Sequence, residues 1–366
     1  MKNRVMETLE EIRQKLNIID TKLVELLNQR AELSLKVGKI KANSDDIVFK
    51  PFREREILKN LLKQNIGPLP KEHLLAIYRE ILSSSRRLQR PQVVLFLGPE
   101  GTFSHLAGLE YLGQSLDYLP KRNIEEIFKG VVDGEAELGI VPLENSLQGS
   151  VGQSLDFFMR YDVFIHAEFY YRVSHSLLSK AKKMETITKV LSHPQALEQC
   201  STWLKLNLPD AELVPMPSTA QAAQKVCQNE NLAAIGNRKL ANLFDLNILA
   251  ARIEDLPDNW TRFLIIASSP SEKEGKEKTS IVFTLPDKPG ALFEVLQIFA
   301  RERINLKKLE SRPLRGEKWK YVFFADVECD LTSNEYKNLI YDLGIMCHTL
   351  KVLGSYPSGE YLDARV

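Results

Sequence analysis

The sequence contains little of what marks several common classes of protein. It has four cysteines in 366 residues, and none of them forms a C-x-x-C pair: Cys200, Cys227, Cys329 and Cys347. This scatter argues against a disulfide framework and against a zinc site. The six histidines include no H-x-x-H pair, so the sequence predicts no metal.

Strong net charge and long apolar runs are also missing. The formal net charge is +1, which gives no electrostatic reason to expect nucleic acid or a membrane as a partner. No apolar run approaches the ~20 residues of a membrane-spanning helix. Met1-Lys2-Asn3-Arg4 leads into a polar amphipathic segment and not into an apolar signal core. We therefore expect a cytoplasmic protein, and the length suggests two or three domains.

The most informative pattern is an apolar helical stripe that one charged residue interrupts. Apolar residues step by four and three along it: Ile12, Leu16, Ile19, Leu23, Leu26, Leu33, Val37 and Ile40. This spacing is typical of a helix that packs lengthwise on another helix. Arg30 occupies the missing step. Because a buried unpaired charge is costly, Arg30 predicts an anionic partner.

Two further helical patterns carry polar residues on or beside their apolar faces. With Arg30, the residues that we expect to converge in a helical bundle are Lys41, Glu54, Ser85 and Gln89. One interpretation is a buried Arg30–Glu54 pair that fixes helix register. The other is a site for a small anionic ligand, which is favoured because one carboxylate cannot satisfy so many cations and amides.

The first helix is predicted to be long. No Pro or Gly interrupts it before Gly38, and at ~1.5 Å per residue it would span on the order of 50 Å. In a bundle of three helices of unequal length, the shorter helices would leave part of the apolar face of this long helix exposed. We therefore expect a homodimer, or a higher homo-oligomer, through this region.

The segment from roughly Val5 to Gln89 resembles the all-helical chorismate mutases. The matching motifs are Ile12-Arg13 with Asp20, Gln29-Arg30-Ala31-Glu32-Leu33, Val37-Gly38-Lys39-Ile40-Lys41 and Arg53-Glu54-Arg55-Glu56. The resemblance implies that Arg30, and Arg13 from the other protomer, hold the carboxylates of chorismate. It implies further roles for Lys41 and Gln89 at the ether oxygen, Glu54 at the ring hydroxyl, Ser85 at a carboxylate and Arg53 as a source of positive potential.

After Pro91 the pattern changes to alternating strands and helices, which predicts open α/β sheets with sites at the strand ends. The β-rich segment 163–178 is predicted to carry the chain from one lobe to a second. Hydroxyl and amide side chains follow several strands: Thr102, Asn145, Ser192 and Gln199. The turn before Thr102 is neither G-x-G-x-x-G nor a Walker sequence, so we expect no nucleotide cofactor. Such a cleft suits a small, polar, anionic substrate.

A strand that begins at Asn259-Trp260-Thr261-Arg262-Phe263 completes this region. Alternation puts Thr261 and Arg262 on opposite faces. With Gly98-Pro99-Glu100-Gly101-Thr102-Phe103-Ser104, Pro142-Leu143-Glu144-Asn145-Ser146 and Ser192-His193-Pro194-Gln195, it resembles the prephenate dehydratases. The resemblance implies two lobes like those of periplasmic binding proteins, with Thr261 assisting the departing hydroxide as proton donor or hydrogen-bonder.

The resemblance also implies roles for the other polar residues. Asn145, Ser192 and Gln199 would position prephenate, and Thr102 would also bind it. Arg262 would either meet a substrate carboxylate or only brace its strand.

Beyond a charged linker at 271–278, the order of elements is βαββαβ, which predicts a ferredoxin-like α+β domain. Gly290-Ala291-Leu292 and Glu310-Ser311-Arg312-Pro313 resemble the phenylalanine-binding motifs of ACT domains. The resemblance implies L-phenylalanine as an allosteric effector bound by Gly290, Ala291, Leu292, Glu310 and Ser311.

We therefore predict three domains, at 1–90, 92–269 and 279–356, in an arrangement that resembles the bifunctional chorismate mutase/prephenate dehydratases. Two alternatives stay open. A mutase fused to prephenate dehydrogenase requires a dinucleotide fingerprint, which the sequence lacks. A non-catalytic amino-acid sensor would bind ligands without turnover.

Overall fold

The computed structural model describes residues 7–41, 47–271, 276–314 and 321–363. Residues 1–6, where the predicted N-terminal segment begins, and residues 272–275 of the predicted linker lie outside this range. The first domain consists of α1 (Leu9–Lys41), α2 (Pro51–Gln64) and α3 (Lys71–Gln89). It is all-helical, as predicted, and α3 packs mainly along α1.

The apolar stripe of α1 is uncovered along most of its length. Leu16, Ile19 and Leu23 each leave about half of their surface exposed, and Leu26 leaves 60% exposed. Exposing a continuous apolar face to water is unfavourable. In a single chain, the apolar stripe of α1 therefore stays exposed. This stripe is the surface through which the sequence predicts an oligomer.

The second domain begins with the elements of its first lobe. In chain order these are β1 (Val93–Leu97), α4 (Phe103–Leu112), β2 (Asp117–Lys121), α5 (Ile124–Val132), β3 (Leu138–Asn145), β4 (Gly149–Ser150), α6 (Gly152–Arg160) and β5 (Phe164–Arg172). The β-branched and aromatic residues of β1, β3 and β5 are buried on both faces, as the interior strands of such a sheet require.

The chain then enters the second lobe and returns. The lobe contains β6 (Ser176–Ser179), a 3-10 turn (Met184–Thr186), β7 (Lys189–Ser192), α7 (Pro194–Gln199), α8 (Ser201–Asn207), β8 (Glu212–Pro215), α9 (Thr219–Val226), β9 (Leu232–Gly236), α10 (Lys239–Phe244) and β10 (Asn247–Ala251). Strand β11 (Trp260–Ala267) re-enters the first lobe between β5 and β3. The chain thus crosses between lobes twice, and the first crossing lies in the predicted segment.

The C-terminal elements form the third domain and one additional strand. They are β12 (Lys278–Thr284), α11 (Ala291–Arg301), β13 (Leu306–Pro313), β14 (Tyr321–Val327), a 3-10 turn (Asn334–Tyr336), α12 (Lys337–Met346), β15 (Thr349–Tyr356) and β16 (Glu360–Leu362). The antiparallel order β13-β14-β12-β15 is the predicted ferredoxin-like sheet.

The three sheets define where each site can form. The first lobe has the order β16-β5-β11-β3-β1-β2, with β4 paired to β3, and the second lobe has the order β10-β6-β9-β7-β8. The third sheet buries one face against α11 and α12 and the other against the first lobe.

Two segments cross the predicted domain boundaries. Ile47 and Phe49, between α1 and α2, are buried in the first-lobe core with Phe96. Strand β16 lies beyond residue 356 and pairs in parallel with β5. Residues on either side of the predicted domain boundaries therefore share a hydrophobic core or a sheet.

Candidate active sites

The helical site centres on the contact between Arg30 and α3. Arg30 Nη1 donates to Ser85 Oγ, and Ser85 Oγ donates to the Ile81 carbonyl at 2.7 Å. Gly38 brings the C-terminal half of α1 against the end of α3, since a Cβ at Gly38 would lie 2.6 Å from the Gln89 carbonyl oxygen. Lys41 is the last residue of α1, one turn beyond Gly38, and both Lys41 and Gln89 are half-buried.

The Arg30–Glu54 pair, the less favoured of the two interpretations, does not form. Glu54 instead accepts two hydrogen bonds of 2.5 Å from Arg86, a residue that is only 3% exposed. Arg86 also donates to the Leu112 carbonyl of the first lobe and lies over the Phe49 ring. Sequence reasoning missed Arg86 because it stands beside the apolar stripe of α3, on the face that the second domain covers.

Two predicted site residues lie outside this cluster. Arg13 is exposed near the other end of α1, 17 residues from Arg30, which corresponds to about 25 Å along the helix. Arg53 is exposed and pairs with Glu56 at 2.5 Å. Within one chain the structure therefore brings together Arg30, Ser85 and Gln89 and leaves Arg13 outside this cluster.

The cleft site is organised around Thr261 at the start of β11. Asn145, at the end of the neighbouring strand β3, donates from Nδ2 to Thr261 Oγ1 at 3.0 Å and to Asn259 Oδ1 at 2.7 Å. The Asn145 Oδ1 atom accepts from the backbone N–H groups of Leu147 and Gln148. The antiparallel pairing of Thr261 with Asn145 explains why two residues so distant in sequence meet.

The hydrogen bonds continue from Asn259 into the second lobe. Asn259 Nδ2 donates to Gln199 Oε1 at 3.2 Å, and His175 Nε2 lies 2.9 Å from the same oxygen. His175 is 1% exposed, and burial lowers the pKa of its imidazole. Sequence reasoning did not select Asn259 or His175. The first stands two residues before Thr261, but no local pattern marks the second, which lies on the crossing between lobes.

Ser192 and Thr102 use their hydroxyl hydrogens inside the protein. Ser192 is fully buried and donates to the Ile235 carbonyl at 2.7 Å. Thr102 caps α4, donating to the Leu97 carbonyl at 2.7 Å and accepting from the His105 N–H. Both residues lie at strand ends, as predicted, but their hydroxyl groups stabilise the local structure.

The two lobes touch across the cleft. Gln195 at the start of α7 donates to Gln148 of the β3–β4 loop. The Phe103 ring of the first lobe meets the His175 imidazole edge-on at 5.6 Å. These contacts hold the residues from both lobes in one polar cluster.

Arg262 does not reach the cleft, so its expected role as a substrate-binding residue needs correction. It points to the opposite face of β11, is 4% exposed and pairs with Glu168 at 2.5 Å and with Asp326 at 2.6 Å. Lys278 pairs with the same two carboxylates. Burial alone would raise the pKa of Asp326, but Arg262 and Lys278 hold it below its ordinary value. This buried ion cluster joins the first-lobe sheet to the C-terminal domain, so Arg262 braces its strand, which is the second of its two expected roles.

The expected effector residues divide between two faces of the third sheet. Gly290 has φ +83°, starts α11 and has open space where a Cβ would lie, and Ala291 and Leu292 follow it. Ser311 is paired with Phe323 and is exposed, on the face that carries α11. Glu310 is paired with Phe324 on the opposite face, where its carboxylate contacts Ser150 and Lys308. Glu310 is therefore an interdomain contact and does not face α11.

Within the described residues, no cluster of three or more His, Cys, Asp or Glu side chains is arranged to hold a metal ion. The same part of the chain has no helix with the length and apolarity that crossing a bilayer would need.

A helical bundle, a two-lobed α/β domain with a polar cleft and a ferredoxin-like domain define the class of a multidomain enzyme with a regulatory module. Family models match the chain in this order: chorismate mutase type II at residues 12–90, prephenate dehydratase at 94–271 and the ACT domain at 279–334. A bifunctional chorismate mutase/prephenate dehydratase from Aquifex aeolicus (strain VF5) is 40% identical and covers 96% of this chain and 98% of the relative. The chain belongs to the bifunctional chorismate mutase/prephenate dehydratase family.

Solved structures share the architecture of about three quarters of the chain. A prephenate dehydratase from Arthrobacter aurescens, solved in complex with L-Phe, aligns with a TM-score of 0.66 and 32% identity over 72% of this chain and 90% of that chain. GqqA, described as a novel type of quorum-quenching acylase, also aligns with a TM-score of 0.66, at 27% identity over 73% of this chain and 98% of that chain. One fold thus accompanies two described activities, so the fold alone does not define the reaction.

Proposed function

We propose that this chain catalyses two consecutive steps of phenylalanine biosynthesis. The helical domain rearranges chorismate to prephenate, and the cleft converts prephenate to phenylpyruvate with loss of carbon dioxide and water. The observation that carries this proposal is a bifunctional relative of 40% identity that aligns almost end to end. The contact between Thr261 and Asn145 in the cleft supports the second activity.

The mutase step requires positioning and charge stabilisation, not proton transfer. Chorismate is a dicarboxylate that must fold so that its reacting carbons meet while charge develops on the breaking ether oxygen. Arg30 would bind one carboxylate with the help of Ser85. Lys41 and Gln89, at the close contact between α1 and α3, would face the ether oxygen.

Glu54 would accept a hydrogen bond from the ring hydroxyl, and its two hydrogen bonds from Arg86 support this role by fixing the position of the carboxylate. Arg53 would contribute positive potential from the surface. A second chain, packed through the exposed stripe of α1, would supply Arg13 to the other carboxylate. We propose a homodimer for this reason.

The dehydratase step requires help for a departing hydroxide as carbon dioxide leaves and the ring becomes aromatic. Thr261 is the proposed hydrogen-bond donor to that oxygen. An unperturbed threonine is a very weak acid, so orientation is expected to matter more than full proton transfer. Asn145 and Gln199 would position prephenate, with Ser192 and Thr102 supporting the strand ends and helix start around it.

L-Phenylalanine is the proposed allosteric inhibitor. Gly290, Ala291 and Leu292 begin α11, where backbone N–H groups favour a carboxylate, and Ser311 lies on the same face of the sheet. The Arthrobacter aurescens relative, described in complex with L-Phe, supports this assignment. Four free cysteines support a reducing, cytoplasmic location as the final part of the proposal.

The test is to incubate purified full-length protein with chorismate and no cofactor. Phenylpyruvate is the expected product. Prephenate that accumulates unchanged would leave only the mutase activity. Binding of chorismate and prephenate without turnover would favour the sensor alternative, and an oxidised product that forms only with added NAD would favour the dehydrogenase fusion.

A further inference from the structure

The cleft contains a chain of hydrogen bonds whose donors and acceptors can be assigned without ambiguity. Backbone N–H groups only donate, so the Asn145 side-chain atom that faces Leu147 N and Gln148 N must be its oxygen. The Asn145 NH2 group therefore faces Asn259 and Thr261. Since an amide NH2 only donates, Thr261 Oγ1 accepts from it at 3.0 Å.

Because Thr261 Oγ1 accepts from Asn145, the Thr261 hydroxyl hydrogen is free to be donated elsewhere. This hydrogen has no acceptor among the described residues. Thr261 is half-buried at the open end of its strand. The hydroxyl is thereby left as a donor, as assistance to a departing oxygen requires.

The hydrogen bonds of Asn259 also have defined donors and acceptors. Its Oδ1 atom accepts from Asn145 at 2.7 Å, so its Nδ2 group must donate to Gln199 at 3.2 Å, which identifies the receiving Gln199 atom as oxygen. The Gln199 amide nitrogen is left without a protein partner in the described part of the chain. Gln199 thus offers a second donor that a substrate oxygen can accept.

His175 forms the last hydrogen bond of this series, to Gln199. Because Gln199 Oε1 can only accept, His175 Nε2 at 2.9 Å must carry the hydrogen. His175 Nδ1 is buried and has no hydrogen-bond partner in the described structure, which suits a neutral ring with an unprotonated Nδ1. The backbone of His175 is held on both sides, by Glu254 at its N–H and by Ile253 at its carbonyl.

We propose that Asn259 and His175 are positioning residues of the dehydratase cleft, which act through Asn145 and Gln199 to present the Thr261 hydroxyl and the Gln199 amide as donors to the substrate. The proposal rests on the proposed dehydratase function. It assigns distinct effects to the two residues, because Asn259 acts chiefly on Thr261 and His175 acts chiefly on Gln199. Asn259 should therefore affect kcat, and His175 should affect KM.

The experiment compares steady-state dehydratase kinetics on supplied prephenate, with the mutase rate of the same preparation as the folding control. Asn259→Ala is expected to lower kcat about tenfold to a hundredfold, since orienting hydrogen bonds are lost. His175→Leu is expected to raise the KM for prephenate about tenfold. His175→Gln retains an N–H donor and should restore KM to within about threefold of wild type, a rescue that merely filling space would not produce.

His166→Gln is the matched control, because His166 is also buried but bonds to Ser269 far from the cleft. It should leave dehydratase kinetics unchanged. Nitrogen-15 NMR of labelled histidines gives a readout that needs no turnover: the resonances lost in His175→Gln should belong to a neutral ring protonated at Nε2.

Several results would overturn the inference. These are a ring protonated at Nδ1 or charged at neutral pH, a His175→Leu variant with wild-type KM, or a His175→Gln variant no better than His175→Leu. If wild-type protein makes no phenylpyruvate, the proposed function fails instead, and the NMR result still tests the hydrogen-bond chain. If His175→Leu also loses mutase activity, the protein has misfolded and the decision rests on His175→Gln and the NMR signature.

Discussion

Lys308 of the C-terminal domain forms an ion pair of 3.0 Å with Glu144, the residue that immediately precedes Asn145 in the dehydratase cleft. Lys308 also donates to Ser150 Oγ at 2.9 Å, and Glu310 accepts a hydrogen bond from the same hydroxyl. Strand β13 of the C-terminal domain thus contacts β3 and β4 on either side of the turn that joins them. Ser311, on the same strand, faces the proposed phenylalanine site.

In the proposed inhibition by phenylalanine, this arrangement would be the physical route. An effector changes activity only if it binds one conformational state better than another. Phenylalanine bound between α11 and β13 would shift β13, and β13 contacts Glu144, the residue before Asn145 in β3. A displacement of Asn145 would disturb its hydrogen bond to Thr261.

We predict that Lys308→Met weakens inhibition by phenylalanine while dehydratase activity in its absence persists. Coupling energies of this kind correspond to about five- to 150-fold in effector affinity, so the inhibitory concentration should rise by about tenfold. Lys307→Met is the matched control, because Lys307 is exposed and pairs with Glu328 inside the C-terminal domain at 3.0 Å. Equal inhibition of both variants and wild type would place the route elsewhere.

We predict that Arg30→Ala abolishes mutase turnover and leaves dehydratase activity on supplied prephenate nearly intact. The substitution removes the cation that meets Ser85 and would bind a substrate carboxylate, and such losses commonly cost about a hundredfold to a thousandfold in rate. The two rates are measured on one preparation, so the dehydratase reports folding. Near-normal mutase activity would show that Arg30 does not bind the substrate and has only a structural role.

Much of this architecture could be predicted from the sequence, because periodicity reports burial. The step of four and three located α1, and alternation placed Thr261 and Arg262 on opposite faces of β11. Periodicity does not show which neighbouring domain covers a given face of a helix or strand. Arg86 and Glu310 both have partners in a neighbouring domain, and their sequence surroundings contain no trace of that contact. His175 was missed for a similar reason, since a crossing between lobes has no period of its own.

We predict that Thr261→Val lowers the dehydratase rate by orders of magnitude while mutase activity and folding persist. Valine keeps the β-branched shape that suits β11 but can neither accept from Asn145 nor donate to the substrate. Thr261→Ser is the control, because it retains the hydroxyl and should retain part of the rate. A valine variant that makes phenylpyruvate as fast as the serine variant would show that the hydroxyl takes no part in the reaction.

We predict that Leu23→Glu dissociates the oligomer and removes mutase activity together. Leu23 lies on the uncovered stripe of α1, and burying a carboxylate in an apolar interface is unfavourable. Thr21→Glu adds the same charge two residues away, on a different face of the helix, and should preserve both properties. Sedimentation velocity and mutase kinetics are the measurements. A monomeric variant with full mutase activity would show that Arg13 of a second chain is not needed.

The last prediction concerns stability at mildly acidic pH. His166 is buried on β5, where desolvation lowers the pKa of its imidazole from 6.5 to about 4. The folded state therefore resists protonation of His166, whereas the unfolded chain accepts a proton near pH 6.5. The stabilising contribution is complete above pH 6.5 and is lost as the pH falls toward 4, with a total of about 3 kcal/mol.

His166→Gln removes this titration but keeps a donor for the Ser269 carbonyl, which His166 Nε2 approaches at 2.7 Å. Thermal melting of wild type and variant between pH 7.5 and 4.5 is the measurement. Wild type should lose stability relative to His166→Gln as the pH falls, because only the wild type must keep an uncharged imidazole buried. A melting-temperature difference that stays constant across this range would contradict the prediction, since it would mean that His166 titrates alike in the folded and unfolded states.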